Sequence, residues 1–284
     1  MRLATEDGAF FFKAGAPVQA FEPALLGFLA AWRPADTQPL LAADPGRGWA
    51  LMPDGGPTLR QASGEQPASA VWRRFLRQYA ELQLASVEQV DFLLELGVPD
   101  RRLPLLPAAY QEILNDAELP LVAMEDGLSQ EEHDQLLGLG RQVDELSRAL
   151  AAFGIPPALE HGDLHDANIF AGSSRPVFFD WGDASITHPF FSLLIPLRMF
   201  AYKLGLPDDA PQLVPLRDEY LSAWASFASL PELRQAWALA EHLGIFVRAI
   251  NWYRVVKSIE AAQVAEYRSS VSGWLQEFLN HGRQ

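Results

Sequence analysis

Residues 161–170 read HGDLHDANIF, and residues 177–184, after a short gap, read VFFDWGDA. The first stretch crowds His161, Asp163, His165, Asp166 and Asn168 together and then runs into an apolar pair. Two chemistries compete for it. From an extended chain His161, Asp163 and His165 point the same way, as a hydrolytic metal site requires. An Asp followed five residues later by an Asn is instead the spacing with which a phosphoryl-transfer loop holds a substrate hydroxyl and a magnesium ion. The second stretch bears on the choice. NIF and VFF are strand-like and the AGSSRP between them is rich in turn formers, so a short hairpin is expected that carries Asp180 back beside Asn168. Asp163, Asn168 and Asp180 then converge. Carboxylates brought that close repel one another unless a cation neutralises them, and hard oxygen donors in a chain without cysteine select magnesium over softer metals. A magnesium site is the expectation.

The bulk composition narrows the setting. The chain has 284 residues, 49% of them hydrophobic, enough for one large domain or two unequal ones. Its start, MRLATEDGAFFFKAG, holds only a short apolar run broken by Lys13, unlike a signal peptide. The longest apolar stretch, PFFSLLIPLRMFAY, contains Pro196 and Arg198 and falls short of the roughly 20 residues a bilayer span requires. A cytoplasmic location is expected, and the absence of cysteine excludes disulfides, zinc-thiolate sites and thiol nucleophiles. The net charge is −14, and it is unevenly spread: residues 1–60 carry six acids and five bases, leaving 30 and 17 to residues 61–284. Such a surface repels nucleic acid and anionic membranes and favours a neutral or cationic substrate, although acidity also serves solubility alone.

Along the chain the pattern changes once. AFFFK and GWALM are strand-like and flank a helix-like PALLGFLAAW, and PDGGPT at 53–58 reads as a linker. Beyond it, apolar residues recur at helical spacing over 69–84 and 134–153, and the chain is expected to be helical in segments near 213–229, 232–257 and 262–281. We therefore expect an α+β protein with a small strand-containing lobe, residues 1–58, followed by a large helical lobe, residues 59–284. No internal repeat is visible.

HGDLHDANIF followed by VFFDWGDA resembles the catalytic and metal-binding motifs of the aminoglycoside phosphotransferase and choline kinase-like family, which shares the protein-kinase fold. Asp163 to Asn168 has the spacing of the kinase catalytic loop, and Asp180-Trp181-Gly182 stands where protein kinases carry Asp-Phe-Gly. Gly162 replaces the usual arginine, as in small-molecule kinases. The resemblance implies an ATP-dependent transfer to a hydroxyl of a small molecule, an amine or aminoglycoside-like compound being one such acceptor. It implies Asp163 as the residue that orients the hydroxyl and accepts its proton, and Asn168 and Asp180 as the magnesium ligands. His161 and His165 would brace the loop by hydrogen bonds, and Asp183 would either assist or be a solvated turn residue. In the small lobe Lys13 matches the strand lysine that grips the nucleotide phosphates, Glu22 its ion-pair partner or a cap of the next helix, and Met52 to Asp54 the hinge whose backbone meets the adenine.

Two departures stand out. The family has about 25 residues before its lysine, where this chain has 12. RLATEDG supplies one strand and a turn but no glycine-rich loop, so either translation starts upstream or the lobe is truncated and covers ATP poorly. In HPFFSLLIPLR, Ser192 stands where the family often has an Asp that anchors the catalytic loop, which leaves that brace weaker or supplied by another residue. A nucleotide-binding pseudokinase or scaffold is the alternative function. A metal-dependent hydrolase leaves DWGD and Lys13 unexplained, and no P-loop or dinucleotide-binding glycine motif occurs. For the acceptor, Trp224, Trp237, Trp252, Tyr253 and Trp274 could line an aromatic cleft for an ammonium group, with Glu241, Glu260 or Glu266 as acidic partners. The same aromatics at helical spacing also suit a core.

Overall fold

The computed structural model describes residues 1–5, 8–64, 67–116, 119–172, 175–259, 267 and 269–281. The first strands are β1 (Arg2–Thr5) and β2 (Gly8–Ala14), which pair antiparallel from Arg2 opposite Phe11 to Thr5 opposite Gly8. Helix α1 (Glu22–Trp32) follows, then β3 (Ala42–Asp44) and β4 (Trp49–Pro53). The strands form one antiparallel sheet in the order β1-β2-β4-β3. Its centre is set by GAFFFKA, whose aromatic run favours a strand with neighbours on both sides. Register places Lys13 opposite Ala50, near the end of β2. Helix α1 starts with Glu22 and Pro23, a residue suited to a first helical turn, and buries Leu25, Leu26 and Leu29. Of RLATEDG, the strand is present, while Glu6 and Asp7 lie outside the described residues.

The large lobe begins where Thr58 caps the short α2 (Leu59–Ala62), its hydroxyl accepting from the Gln61 N–H. Helices α3 (Ser69–Ser86), α4 (Val90–Glu95), α5 (Leu106–Asn115), α6 (Gln130–Gly138) and α7 (Gly140–Ala151) follow. The single helix expected over 134–153 is thus two, broken at Leu139 between two glycines that weaken helix propagation. Two short antiparallel pairs come next. β5 (Ala158–Glu160) pairs with β8 (Ser185–Thr187), and between them lies the expected hairpin, β6 (Ile169–Phe170) with β7 (Val177–Phe178). Ser173 and Ser174 of its turn lie outside the described residues. Helices α8 (Leu194–Leu204), α9 (Val214–Ser222), α10 (Leu230–Ser258) and α11 (Ser269–His281) complete the lobe. The apolar stretch PFFSLLIPLRMFAY becomes a 3₁₀ turn plus α8, and no helix among the described residues is long and apolar enough to cross a membrane. α10 is apolar on nearly every side because it runs through the core, burying residues from Leu233 to Val256.

One buried carboxylate ties α2 and α8 to the segment between β5 and β6. Asp166 is 2% exposed, accepts from Arg60 Nε and Nη2 at 3.1 and 3.0 Å, and pairs with Lys203 of α8. Its carbonyl also accepts from the Arg60 N–H at 3.0 Å. Removing the charge leaves two cations with a neutral partner. Asp166→Asn should lower stability by about 1–3 kcal/mol, read as a fall in the urea midpoint at unchanged slope.

Candidate active site

The segment after β5 turns sharply before it presents its polar residues. Gly162 has φ +79°, and a Cβ there would stand 2.2 Å from the Asp183 carbonyl oxygen, so only glycine lets the two strand ends approach. His161 is fully buried, and its ring fixes the turn. Nδ1 accepts from the Asp163 N–H at 3.3 Å and Nε2 donates to the Phe179 carbonyl at 2.8 Å, which specifies the neutral tautomer. Burial lowers its pKa, in keeping with that state. His161 therefore links the catalytic segment to the end of the hairpin and is not placed to bind metal.

Beneath it lies a neutral hydrogen-bond net supplied largely by α3. The His161 N–H donates to Tyr79 Oη at 2.8 Å, and Tyr79 Oη lies 3.2 Å from Ser192 Oγ. Gln83 Nε2 donates to Ser192 Oγ and to the Leu159 carbonyl, and Tyr220 Oη lies 2.5 Å from Gln83 Oε1. Ser192 thus takes part in an anchor made with Tyr79, Gln83 and Tyr220, all buried. Sequence pattern showed Tyr79 only as one apolar position of a helix, and gave no signal for Gln83.

Asp163 is oriented from three sides. His165 Nε2 lies 3.2 Å from Oδ2, with Nδ1 accepting from the Ala167 N–H at 3.1 Å, and Asn168 Nδ2 donates to Oδ2 at 3.1 Å and to the Asp163 carbonyl at 2.9 Å. Arg248 of α10 donates from Nη2 to Oδ1 at 3.2 Å and from Nη1 to the Gly162 carbonyl. Burial alone would raise the Asp163 pKa, but the His165 hydrogen bond and the Arg248 charge overcome it and hold the carboxyl well below its usual range. It is a carboxylate at any physiological pH. Arg248 was missed by sequence reasoning, since it lies 85 residues away in an otherwise apolar helix.

The lysine, the helix carboxylate and the hairpin carboxylate meet. Lys13 Nζ is 2.6 Å from Glu22 Oε2 and 2.5 Å from Asp180 Oδ1. Burial opposes the charge on Lys13, but the two carboxylates more than restore it and raise its pKa. Asp180 has φ +65°, a conformation that Asp tolerates better than most residues, and turns its carboxylate to the cleft. At Gly182 a Cβ would meet Gln19 Nε2 at 2.8 Å and Lys13 Nζ at 3.2 Å, so the DWG glycine admits the lysine. Lys13, Glu22, Met52, Asp54 and Asp180 all line one cavity of about 890 Å³ between the sheet and the hairpin, with the stacked rings of Phe170 and Phe179 on its far side. In the hinge, the Asp54 N–H already donates to the Ala9 carbonyl and the Pro53 carbonyl accepts from Gln38 Nε2. The Asp54 carboxylate is held by Arg2 at 2.9 Å and by the Gly56 N–H at 3.0 Å.

The hairpin brings Asn168 to Asp180 through the Phe179 N–H, which donates to the Asn168 carbonyl at 3.1 Å. Both Asn168 amide hydrogen bonds run through Nδ2, which leaves its amide oxygen as a hard donor, and Asp180 keeps one carboxylate oxygen beyond its contact with Lys13. One carboxylate and one amide oxygen suit magnesium, which completes its shell with water and phosphate oxygens. Of the three residues a hydrolytic metal site would draw from this segment, His161 has both ring nitrogens engaged, with the Asp163 N–H and the Phe179 carbonyl.

The acids named for amine recognition are not gathered here. Glu241 lines a different cavity, with Arg198 and Arg217, and Glu260 and Glu266 lie outside the described residues. Trp224 and Trp237 are core residues, and Trp274 packs against Arg198 and Arg248. Trp252 stacks on Tyr267 beside Asp183 and Asn251, in a cavity of about 250 Å³, with Asp183 accepting from Gln19 at 3.3 Å. Behind the catalytic segment Glu160 is fully enclosed, with Ser185 Oγ as its donor at 3.1 Å, and burial pushes its pKa up to about 7. A carboxyl whose folded pKa is raised binds protons more tightly folded than unfolded, so its contribution to stability is greatest in acid and is lost as pH rises through the window from 4.5 to about 7. Glu160→Gln should therefore show a flatter fall of stability between pH 5 and 7 than the parent, measured by denaturant melts across that range.

Fold and site together define a protein-kinase-like phosphotransferase. The chain belongs to the phosphotransferase enzyme family, whose model matches residues 10–236. Among solved structures it is similar to the ethanolamine kinase of Plasmodium vivax, at 11% identity and TM-score 0.64, covering 96% of this chain and 77% of that one. It is also similar to the choline kinase LicA of Streptococcus pneumoniae, at 12% identity and TM-score 0.57, covering 97% and 89%. A third likeness is to APH(2")-IIia, solved with GDP and kanamycin, at 16% identity and TM-score 0.59, covering 96% and 86%. A comparison with curated protein sequences returns no significant match.

Proposed function

We propose that this protein transfers the γ-phosphoryl group of ATP, as its magnesium complex, to a hydroxyl of a small molecule. The observation that carries the reading is the meeting of Lys13, Glu22 and Asp180 in the inter-lobe cavity, with Asp163, its carboxylate oriented on three sides, in the segment that His161 and Asn168 join to Phe179, the neighbour of Asp180. The purine lies between Met52 and Phe170, and the Asp54 rim closes the hinge side. Lys13, kept charged by two carboxylates, grips the phosphates. Asn168 and Asp180 hold the magnesium, which neutralises charge on the phosphates when bound. Asp163 aligns the acceptor hydroxyl and takes its proton. A carboxylate with so low an affinity for protons is a weak base, so its proton is gained late, as the oxygen loses charge to phosphorus, and positioning is its larger contribution.

Two variants separate these roles. Asp180→Ala should weaken binding of ATP measured by calorimetry with magnesium present and have little effect without it; equal affinity with magnesium would remove Asp180 from the metal. Asp163→Asn is nearly isosteric, so nucleotide affinity should persist while phosphoryl transfer to an acceptor falls by about 10²- to 10⁴-fold. Binding of ATP with no consumption across a broad acceptor panel would favour the scaffold reading.

A further inference from the structure

Arg101 is the most anomalous side chain of the large lobe. It follows α4 in Pro99-Asp100-Arg101-Arg102 and is stitched to β8, its N–H donating to the Ile186 carbonyl at 2.9 Å and its carbonyl accepting from Thr187 Oγ1 at 2.7 Å. That backbone pairing directs the guanidinium inward, and only 6% of the residue is exposed. Even so, Nε and Nη1 find no hydrogen-bond partner. A buried guanidinium without a partner is costly, so such a group calls for a ligand. No carboxylate among the described residues lies within ion-pair distance of it. Glu160 and Asp183 are near enough to be felt electrostatically, but Glu160 takes its hydrogen bond from Ser185 and Asp183 from Gln19.

Arg101 lines a cavity of about 310 Å³ between α5 and α10, and Arg254 lines the same cavity from α10, with no ion pair to any of the described residues. Two acids also border it, and both are engaged. Asp100 pairs with Arg102 at 2.6 Å, and Glu112 faces Lys257 at 3.8 Å and the Tyr253 hydroxyl at 3.4 Å. Two arginines therefore face one small space with no carboxylate among the described residues in ion-pair contact with either, while Leu106, Ile113 and Ile250 supply its apolar wall. The planar forks of arginine match carboxylate and phosphate oxygens. The cavity is also close to the chemistry: the charge of Asp183 reaches both arginines, and Arg254 follows, on the same helix, the Arg248 that touches Asp163.

We propose that this cavity is an anion-binding site that receives a carboxylate or phosphate group of the acceptor, with Arg101 and Arg254 as its ligands. The assignment rests on the phosphotransferase reading for the word acceptor, and on geometry alone for the anion. It departs from the expectation of a neutral or cationic substrate drawn from the acidic net charge.

Inorganic phosphate and acetate are the probes, titrated calorimetrically into the parent, Arg101→Met, Arg254→Gln and Lys13→Met. At least one anion should bind the parent and Lys13→Met alike, and bind both arginine variants more weakly by about 10- to 100-fold, the loss expected for a charged hydrogen bond. Which of the two binds distinguishes a carboxylate from a phosphate site. Because Arg101→Met removes a buried group, the partly exposed Arg254→Gln keeps the test valid if the first variant is unfolded. Turnover is then compared for matched acceptors, a hydroxy acid against its amide and a sugar phosphate against the free sugar. The anionic member should be preferred, and Arg254→Gln should abolish the preference mainly through KM. Anion binding that is lost in Lys13→Met and kept in the arginine variants overturns the site. Transfer to neutral or cationic acceptors at a rate indifferent to Arg254 overturns it while leaving the phosphotransferase standing. Anion binding lost in both arginine variants, with no transfer to any acceptor, has the opposite meaning: the site stands and the phosphotransferase reading falls.

Discussion

The hydroxyl of Tyr79 accepts the N–H of His161, and that contact fixes the start of the segment that carries Asp163 and Asn168. A catalytic segment must hold Asp163 and Asn168 at fixed separation while exposing both to substrate, so it cannot be buried in a regular ladder. It is hung instead from β5 on one side and from the Phe179 carbonyl on the other, with the His161 ring between. The net that carries this load, Tyr79, Gln83, Ser192 and Tyr220, is neutral. That has an electrostatic advantage. An ionised anchor below Asp163 would perturb the carboxylate above it, whereas buried hydroxyls and an amide satisfy one another without adding charge to the site.

Charge enters only from the sides. Arg248 and His165 reach the Asp163 carboxylate from opposite flanks, and Lys13 reaches Asp180 from the sheet. Each carboxylate therefore has its own cation before any ligand arrives, which lets acidic groups share a cleft without mutual repulsion. The arrangement also couples the lobes. Lys13 is placed by the register of β2 on β4, Glu22 by the start of α1, and Asp180 by the hairpin, so a displacement of the sheet relative to the large lobe would separate the three.

Much of this was legible in the sequence because it is local. The Asp163 to Asn168 spacing, the hairpin and the return of Asp180 lie within one short stretch, and strand alternation with turn residues is read from neighbours. Lys13 and Glu22 were legible for a similar reason, nine residues apart across one strand-to-helix connection. Tyr79, Gln83, Arg101 and Arg248 were not. Each sits in a helix or loop whose pattern is satisfied by packing alone, and each meets the site only through long-range contacts, such as the 82 residues that separate Tyr79 from His161. Helical periodicity says which face is buried, and it cannot distinguish a hydroxyl or guanidinium that is buried to hold a loop from one buried along with its neighbours.

The aromatic residues show the same limit from the other direction. Trp237 fills the core, whereas Trp252 stacks on Tyr267 beside Asp183, though both stand on α10. What separates them is the route of α10. Its first turns bury one face and expose Glu232, Arg234 and Gln235, its middle from His242 to Asn251 is buried on every side, and its last turns pass the segment after β5, so Arg248, Asn251, Trp252 and Arg254 come successively to the ground around Asp163 and Asp183. One helix therefore packs into the core and also supplies polar side chains to the ground around Asp163 and Asp183. Arg248 and Arg254 are consequently placed by one continuous helix, so the orientation of the Asp163 carboxylate and the lining of the cavity beside α5 depend on the same element.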